Sequence, residues 1–211
     1  MTPATRALNA KRIKHLTDGG HPALNFINTE KKDSKGNYID SLTSYQSFLG
    51  WCFDTNIIDL DTFMELDLEQ HCYQKEASMT FSSVITLRKY MGEILHCLMK
   101  GLDVNLSVLN CVNDYAVKMR ERMRYEMCDD GKIRLVWFNI NEELNLPFWE
   151  VLYSSVALLT SNNIKNVKKC PICGCLFLDS SRSNNRVWCN IKLCGNQHKN
   201  KKYISKLKKA A

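Results

Sequence analysis

No stretch of this 211-residue chain is apolar for long enough to cross a bilayer. The nearest approach, residues 151–159, is short and is interrupted by Ser154 and Ser155. The first twenty residues are mixed polar and basic and hold no apolar segment of the secretory type, so a cytoplasmic protein without a membrane partner is expected. Also missing are a phosphate-cradling glycine loop, a dinucleotide fingerprint, a nucleophile elbow, internal repeats and low-complexity segments. His71, His96, Cys52, Cys72, Cys97 and Cys111 follow no ligand spacing, and no catalytic constellation emerges, so an enzyme is not expected. Acid is the scarcest feature of the C-terminal end. From Lys165 to Ala211, Asp179 alone stands against twelve Lys and Arg, a charge of +11, while the other 164 residues sum to −4. Such polarity suits a polyanionic partner.

What is present begins with cysteine. Ten cysteines in a reducing compartment point to metal binding or buried thiols and away from a disulfide framework. Cys170 and Cys173 form C-x2-C; after fifteen residues, Cys189 and Cys194 form C-x4-C. That is the ligand arithmetic of one structural Zn2+, whose four thiolates close the tetrahedron and leave no position for a catalytic water. Lys169-Cys170-Pro171-Ile172-Cys173-Gly174 has the form of a knuckle, with Gly174 relaxing the backbone past the second ligand. Leu176 to Leu178 reads as a departing strand and Arg186 to Trp188 as a returning one. Cys194 then opens a terminal helix from about Asn196 to Lys208, and Phe177 and Trp188 form a miniature core, a treble-clef-like order. Cys175 and His198 are spare ligand candidates.

The preceding residues carry helical periodicity. Helices are expected from near Ser41 (Leu42, Tyr45, Leu49, Cys52 and Phe53 inward), after Asp59 and Asp61, and from Thr80 to Lys100 with Gly101 as the stop. A fourth should start at Asn105, with Leu106, Leu109, Val112, Ala116 and Met119 inward. A hairpin is expected across Asp129-Asp130-Gly131, and Pro147 should open a last helix ending near Asn162. The fold class is therefore α+β, mainly α. A helical domain with a small hairpin over residues 1–164 should precede a zinc finger with a basic helix over 165–211.

These residues also resemble a known family. Cys170-x2-Cys173, Phe177-x-Asp179-x-Ser181-Arg182, Arg186-x-Trp188-Cys189 and Cys194-Gly195-Asn196 resemble the CGNR zinc finger. The run Gly20-His21-Pro22-Ala23-Leu24-Asn25-Phe26-Ile27-Asn28-Thr29 looks like the opening motif of the ABATE domain, which precedes that finger in bacterial proteins. The resemblance implies a stress-induced transcription regulator whose finger binds DNA. Gln197 stands where the name-giving Arg is usual, removing one phosphate or base contact, and Asn25 stands where Asp is common.

The candidate nucleic-acid contacts are Arg182, Arg186, Lys192, Asn196, Lys199, Lys201 and Lys202; the cations would meet phosphates, and Asn196 or Arg182 could read a base edge. Arg182 or Arg186 could instead pair with Asp179 to brace the finger. His21 and Asn28 are candidates for a ligand pocket, or else a fixed turn and a helix cap. The leading expectation is a DNA-binding regulator, dimeric if it reads two half-sites, with a helical domain that senses a small-molecule effector or a protein partner. The alternatives are a zinc-stabilised module for an acidic protein, and RNA binding, for which exposed stacking aromatics are sparse.

Overall fold

A computed structural model describes residues 17–32, 37–138, 143–200 and 203–204. The basic arm around Arg6, Lys11, Arg12 and Lys14, together with Lys201, Lys202 and the Lys206–Lys209 tail, lies outside the described residues. Contacts divide the chain into two units: Leu42–Thr160, and Met1–Ser41 taken together with Ser161–Ala211. In sequence, the helical unit is thus an insertion within the unit that carries the cysteines. The division expected from the sequence is residues 1–164 and 165–211; by contacts, the described residues up to Ser41 group with the cysteine-rich segment and not with the helices.

The N-terminal part of the finger unit contains helix α1 (Pro22–Ile27) and the short antiparallel strands β1 (Glu30–Lys32) and β2 (Tyr38–Asp40). Pro22 sits at the start of α1, where its missing N–H costs nothing. His21 caps the helix, its Nδ1 accepting from the Ala23 N–H at 3.3 Å. Gly19 donates its N–H to Asn25 Oδ1 at 2.9 Å. The approach is so close that a Cβ on Gly19 would lie 2.6 Å from that oxygen. Position 25 therefore needs an acceptor oxygen, which an amide supplies as well as a carboxylate.

The helical unit is built from α2 (Tyr45–Asp54), α3 (Leu60–Cys72), α4 (Gln74–Lys100), α5 (Leu106–Arg120) and α6 (Leu146–Thr160). The hairpin β3 (Met123–Met127) and β4 (Ile133–Trp137) lies between the last two helices. Three of the starts have a side-chain cap. Ser44 and Ser47 form a reciprocal capping box at α2. Asp59 accepts from the Thr62 N–H at α3, and Asn105 from the Ser107 N–H at α5. Gly101 ends α4 in the left-handed region, at φ 65°, as its position in the sequence implied.

Helix α4 contacts each of the other four helices and buries Val84, Leu87, Met91, Ile94 and Leu95 at helical spacing. Phe48, Leu49 and Cys52 of α2 and Phe148 and Leu152 of α6 are fully enclosed as well. Two polar ties fix the approach to α6: Tyr45 Oη donates to the Leu144 carbonyl, and Thr80 Oγ1 to Asn145 Oδ1. Helix α5 departs from the expected face. Leu106 is exposed and Val108 is buried instead, because the Asn105 cap leaves Leu106 in the first turn on the solvent side. Helix α4 also starts six residues earlier than expected, directly after the break at Tyr73.

Two glycines in the different units should respond oppositely to alanine. Gly19→Ala must displace Asn25 and is expected to cost about 1–3 kcal/mol. Gly50 lies inside α2 with nothing within 4 Å of an added Cβ. Gly50→Ala should therefore stabilise by about 0.4–1 kcal/mol. Denaturant melts of the two variants check both signs.

Candidate metal centre

The cysteine-rich segment starts where a 3₁₀ turn, Asn162–Asn166, capped by Ser161, hands over to β5 (Val167–Lys169). Strand β5 pairs antiparallel with β6 (Leu176–Leu178), with Lys168 opposite Phe177. The knuckle is the loop of this hairpin. The Cys170 N–H donates to the Cys175 carbonyl at 2.8 Å, and the Gly174 N–H to the Cys170 carbonyl at 2.9 Å. Gly174 has φ +76°, the conformation that turns the chain beneath its two ligands. The partner of Leu176–Leu178 is thus β5 and not the expected Arg186–Trp188 strand. The latter residues are irregular, since their backbone serves Asp179, Arg186 and the metal ligands instead of a ladder.

The second ligand pair is placed by a one-turn π-helix, Ile191–Gly195, which Asn190 caps through Oδ1 to the Leu193 N–H. Residues 196–200 continue as helix. Cys170, Cys173, Cys189 and Cys194 converge so that their sulfurs all lie within 4.8 Å of one another. Cys173 and Cys189 are 3.4 Å apart, and Cys189 and Cys194 3.7 Å. A zinc tetrahedron with Zn–S bonds of about 2.3 Å has sulfur–sulfur edges of roughly 3.8 Å. The four thiols therefore fit one zinc ion.

Electrostatics point the same way. Hydrogen bonds from Cys175 and Cys189 hold the Cys173 thiol far below its ordinary range. Its bond to Cys173, then burial, pushes Cys189 up, and Cys194 is pushed up to about 12 by burial and by Cys173. Four sulfurs this close cannot all ionise unless a cation lies among them. His198 is not among the four converging ligands, and its ring lies 5.8 Å from that of Trp188. Cys175 adjoins Cys173 but is not one of the four.

Beneath the sulfurs, Phe177 is fully buried, with Ile172 and Trp188 packed around the cluster, the core expected from the sequence. The Arg186 guanidinium lies 4.9 Å over the Phe177 ring. Arg186 also donates to the carbonyls of Trp188 and Cys189, which fixes the third ligand. Asp179 is enclosed and accepts from Lys168 Nζ at 2.7 Å, Ser181 Oγ at 2.6 Å and the N–H groups of Ser181 and Arg186. Its burial opposes ionisation, but these donors outweigh it and hold the carboxyl well below the usual range. The brace between Asp179 and a cation is real, but the cation is Lys168, which sequence reasoning missed.

Residues 166–206 match the CGNR zinc finger family. The chain carries a CGNR zinc finger. No curated protein matches the chain. Of the residues expected to contact nucleic acid, Arg182, Lys192, Asn196 and Lys199 are exposed around this finger, whereas half-buried Arg186 is committed to it. Lys201 and Lys202 lie outside the described residues.

His21 and Asn28, the candidates for a ligand pocket, both have structural partners. His21 is a helix cap whose pKa is lowered by burial. The Asn28 amide takes both outward groups of Leu176: Nδ2 donates to its carbonyl at 2.7 Å, and Oδ1 accepts from its N–H at 2.8 Å. The Gly19 carbonyl accepts from the Leu178 N–H at 2.8 Å, and Asn190 Nδ2 donates to Asp18 at 3.0 Å. Residues 18–28 thus cover the outer edge of β6. The signal that could have revealed this was the pair of glycines beside an asparagine with no evident chemistry.

Cys189→Ser should remove bound zinc and, with it, amide protection over residues 167–178, while the helical unit keeps its own melting transition. Zinc content and hydrogen exchange check both. Asp179→Asn should destabilise the finger at neutral pH with zinc stoichiometry unchanged. Because the folded carboxyl titrates below the unfolded one, this penalty is fully present at every pH at which the finger holds its zinc. It is read as the difference in thermal midpoint between wild type and variant at neutral pH, with zinc in excess.

Proposed function

We propose that the finger is a DNA-contacting surface and that the protein is a transcriptional regulator. The observation that supports this most is the state of Asp179. It is the sole acid of residues 165–211, and it is buried and neutralised by Lys168. Every exposed charge that the described residues of this segment present is therefore cationic. Arg182, Lys192 and Lys199 would meet phosphates, and Asn196, at the start of the helical residues, could reach a base edge. Zinc with four thiolates adds a local charge of about −2, which leaves the segment strongly positive. The closed tetrathiolate supplies no open coordination position, so no catalytic role is proposed.

The helical unit would sense an effector. It holds a cleft of 520 Å³ between α4, α5 and α6, lined by Leu98, Leu109, Val112, Ala116 and Leu159 with exposed Arg120. An effector would regulate binding only if it preferred one state of the protein over another. No helix among the described residues is long and apolar enough to cross a membrane. The same cationic surface supports a second reading, docking of an acidic protein.

Replacing Lys192 and Lys199 together by Ala should weaken binding to every duplex alike. The slope of log affinity against log salt should fall by about 2, one for each lysine. Fluorescence anisotropy across a salt series measures this on the zinc-loaded chain. A salt-sensitive complex with an acidic protein, with no duplex binding, would favour the second reading, and preference for single-stranded RNA would favour RNA.

A further inference from the structure

The hairpin β3–β4 is a two-stranded sheet with one apolar face whose outer part is left exposed among the described residues. Its register pairs Met123 with Trp137, Tyr125 with Leu135 and Met127 with Ile133, so these six side chains share one face. Met123 and Trp137 at the base are half-buried, and Trp137 is anchored through Nε1 to Glu150 at 2.6 Å. The outer four are not: Tyr125 is 77% exposed, Met127 68%, Ile133 65% and Leu135 39%. Free edge strands usually carry a proline, a bulge or charges, lysine above all, that oppose pairing. Strand β3, Met-Arg-Tyr-Glu-Met, has no proline, lysine or bulge, and its two charges, Arg124 and Glu126, are of opposite sign.

We infer that β3 is a dimerisation strand, pairing antiparallel with β3 of a second copy about a two-fold axis through Tyr125. The charges select this register. Centring on Tyr125 puts Arg124 opposite the second copy's Glu126, and Glu126 opposite its Arg124, so one symmetric contact creates two cross-strand ion pairs. Centring one residue earlier sets Arg124 against its own copy, and one residue later sets Glu126 against its own copy; each puts like charges in direct opposition at the two-fold axis. In the single chain Arg124 pairs with Glu126 on its own strand and lies 4.1 Å over the Phe138 ring. That within-strand pair is a substitute the dimer replaces. On the other face the same register opposes Tyr125 to Tyr125 and Met123 to Met127. It makes a four-stranded sheet whose apolar face is continuous across both copies, an isologous interface closed by its own symmetry. The inference concerns the helical unit and stands whether or not the finger binds DNA.

Sedimentation equilibrium of the full zinc-loaded chain tests it. Wild type should dimerise reversibly in the micromolar range. Arg124→Glu and Glu126→Arg should each weaken the dimer by roughly tenfold, since each turns two attractions into repulsions. The double variant, with the charges exchanged, should recover wild-type affinity, which simple misfolding would not do. Tyr125→Cys should cross-link to a covalent dimer on mild oxidation under conditions where wild type, with its native cysteines, does not. A wild type that stays monomeric overturns the inference, as does a dimer indifferent to both single charge variants. A monomer that instead captures an apolar peptide strand on this edge also overturns it, assigning the face to a foreign partner.

Discussion

Four sulfur atoms held within 4.8 Å of one another repel as thiolates and form only weak hydrogen bonds as thiols. The finger segment accepts that arrangement because a divalent cation reverses its sign, turning mutual repulsion into common attraction. The other features of the segment serve the same end. The β5–β6 hairpin and Gly174 present one pair of sulfurs, and the Asn190-capped turn presents the other. With one fully enclosed aromatic, Phe177, the hydrophobic core is too small to hold 40-odd residues unaided. Metal coordination makes up the difference, so the basic surface has a fixed shape only while the ion is bound.

Around this centre, charges are sorted by task. Lys168 and Arg186 are turned inward, one to neutralise Asp179 and the other to clasp the Trp188–Cys189 backbone over Phe177. Arg182, Lys192 and Lys199 are left outside. Counting lysines and arginines overstates the cationic surface by the ones used as internal ties, but it also overstates the acid, since Asp179 does not reach solvent. The two corrections nearly cancel, which is why bulk charge was a fair guide here.

What could be read ahead of the structure was local. Ligand spacing is local because a tetrahedron a few ångströms across fixes the separations within each cysteine pair. Asp59, Asn105 and Gly101 were legible because a cap acts within one turn of the residue that supplies it. The misreadings were of two kinds. Val108 for Leu106, which follows from where the Asn105 cap starts the helix, and β5 for Arg186–Trp188 are choices between candidates of similar propensity. Asn28 is different: its partner, Leu176, lies 148 positions away, and no periodicity reports a side-chain amide imitating a backbone at that separation.

That imitation sets an order of events. Residues 18–28 are synthesised well before the strand they shield, which is made only after the entire helical insertion. Until then their polar groups must be satisfied by water. The finger, conversely, is complete only when the earliest piece of its unit returns to it. A peptide cut at residue 165 would retain all four sulfurs and every exposed cation of the segment but would have a bare strand edge, open to pairing with its neighbours. Zinc fingers are commonly thought of as modules that can be lifted out whole; this one is sewn into its chain at both ends.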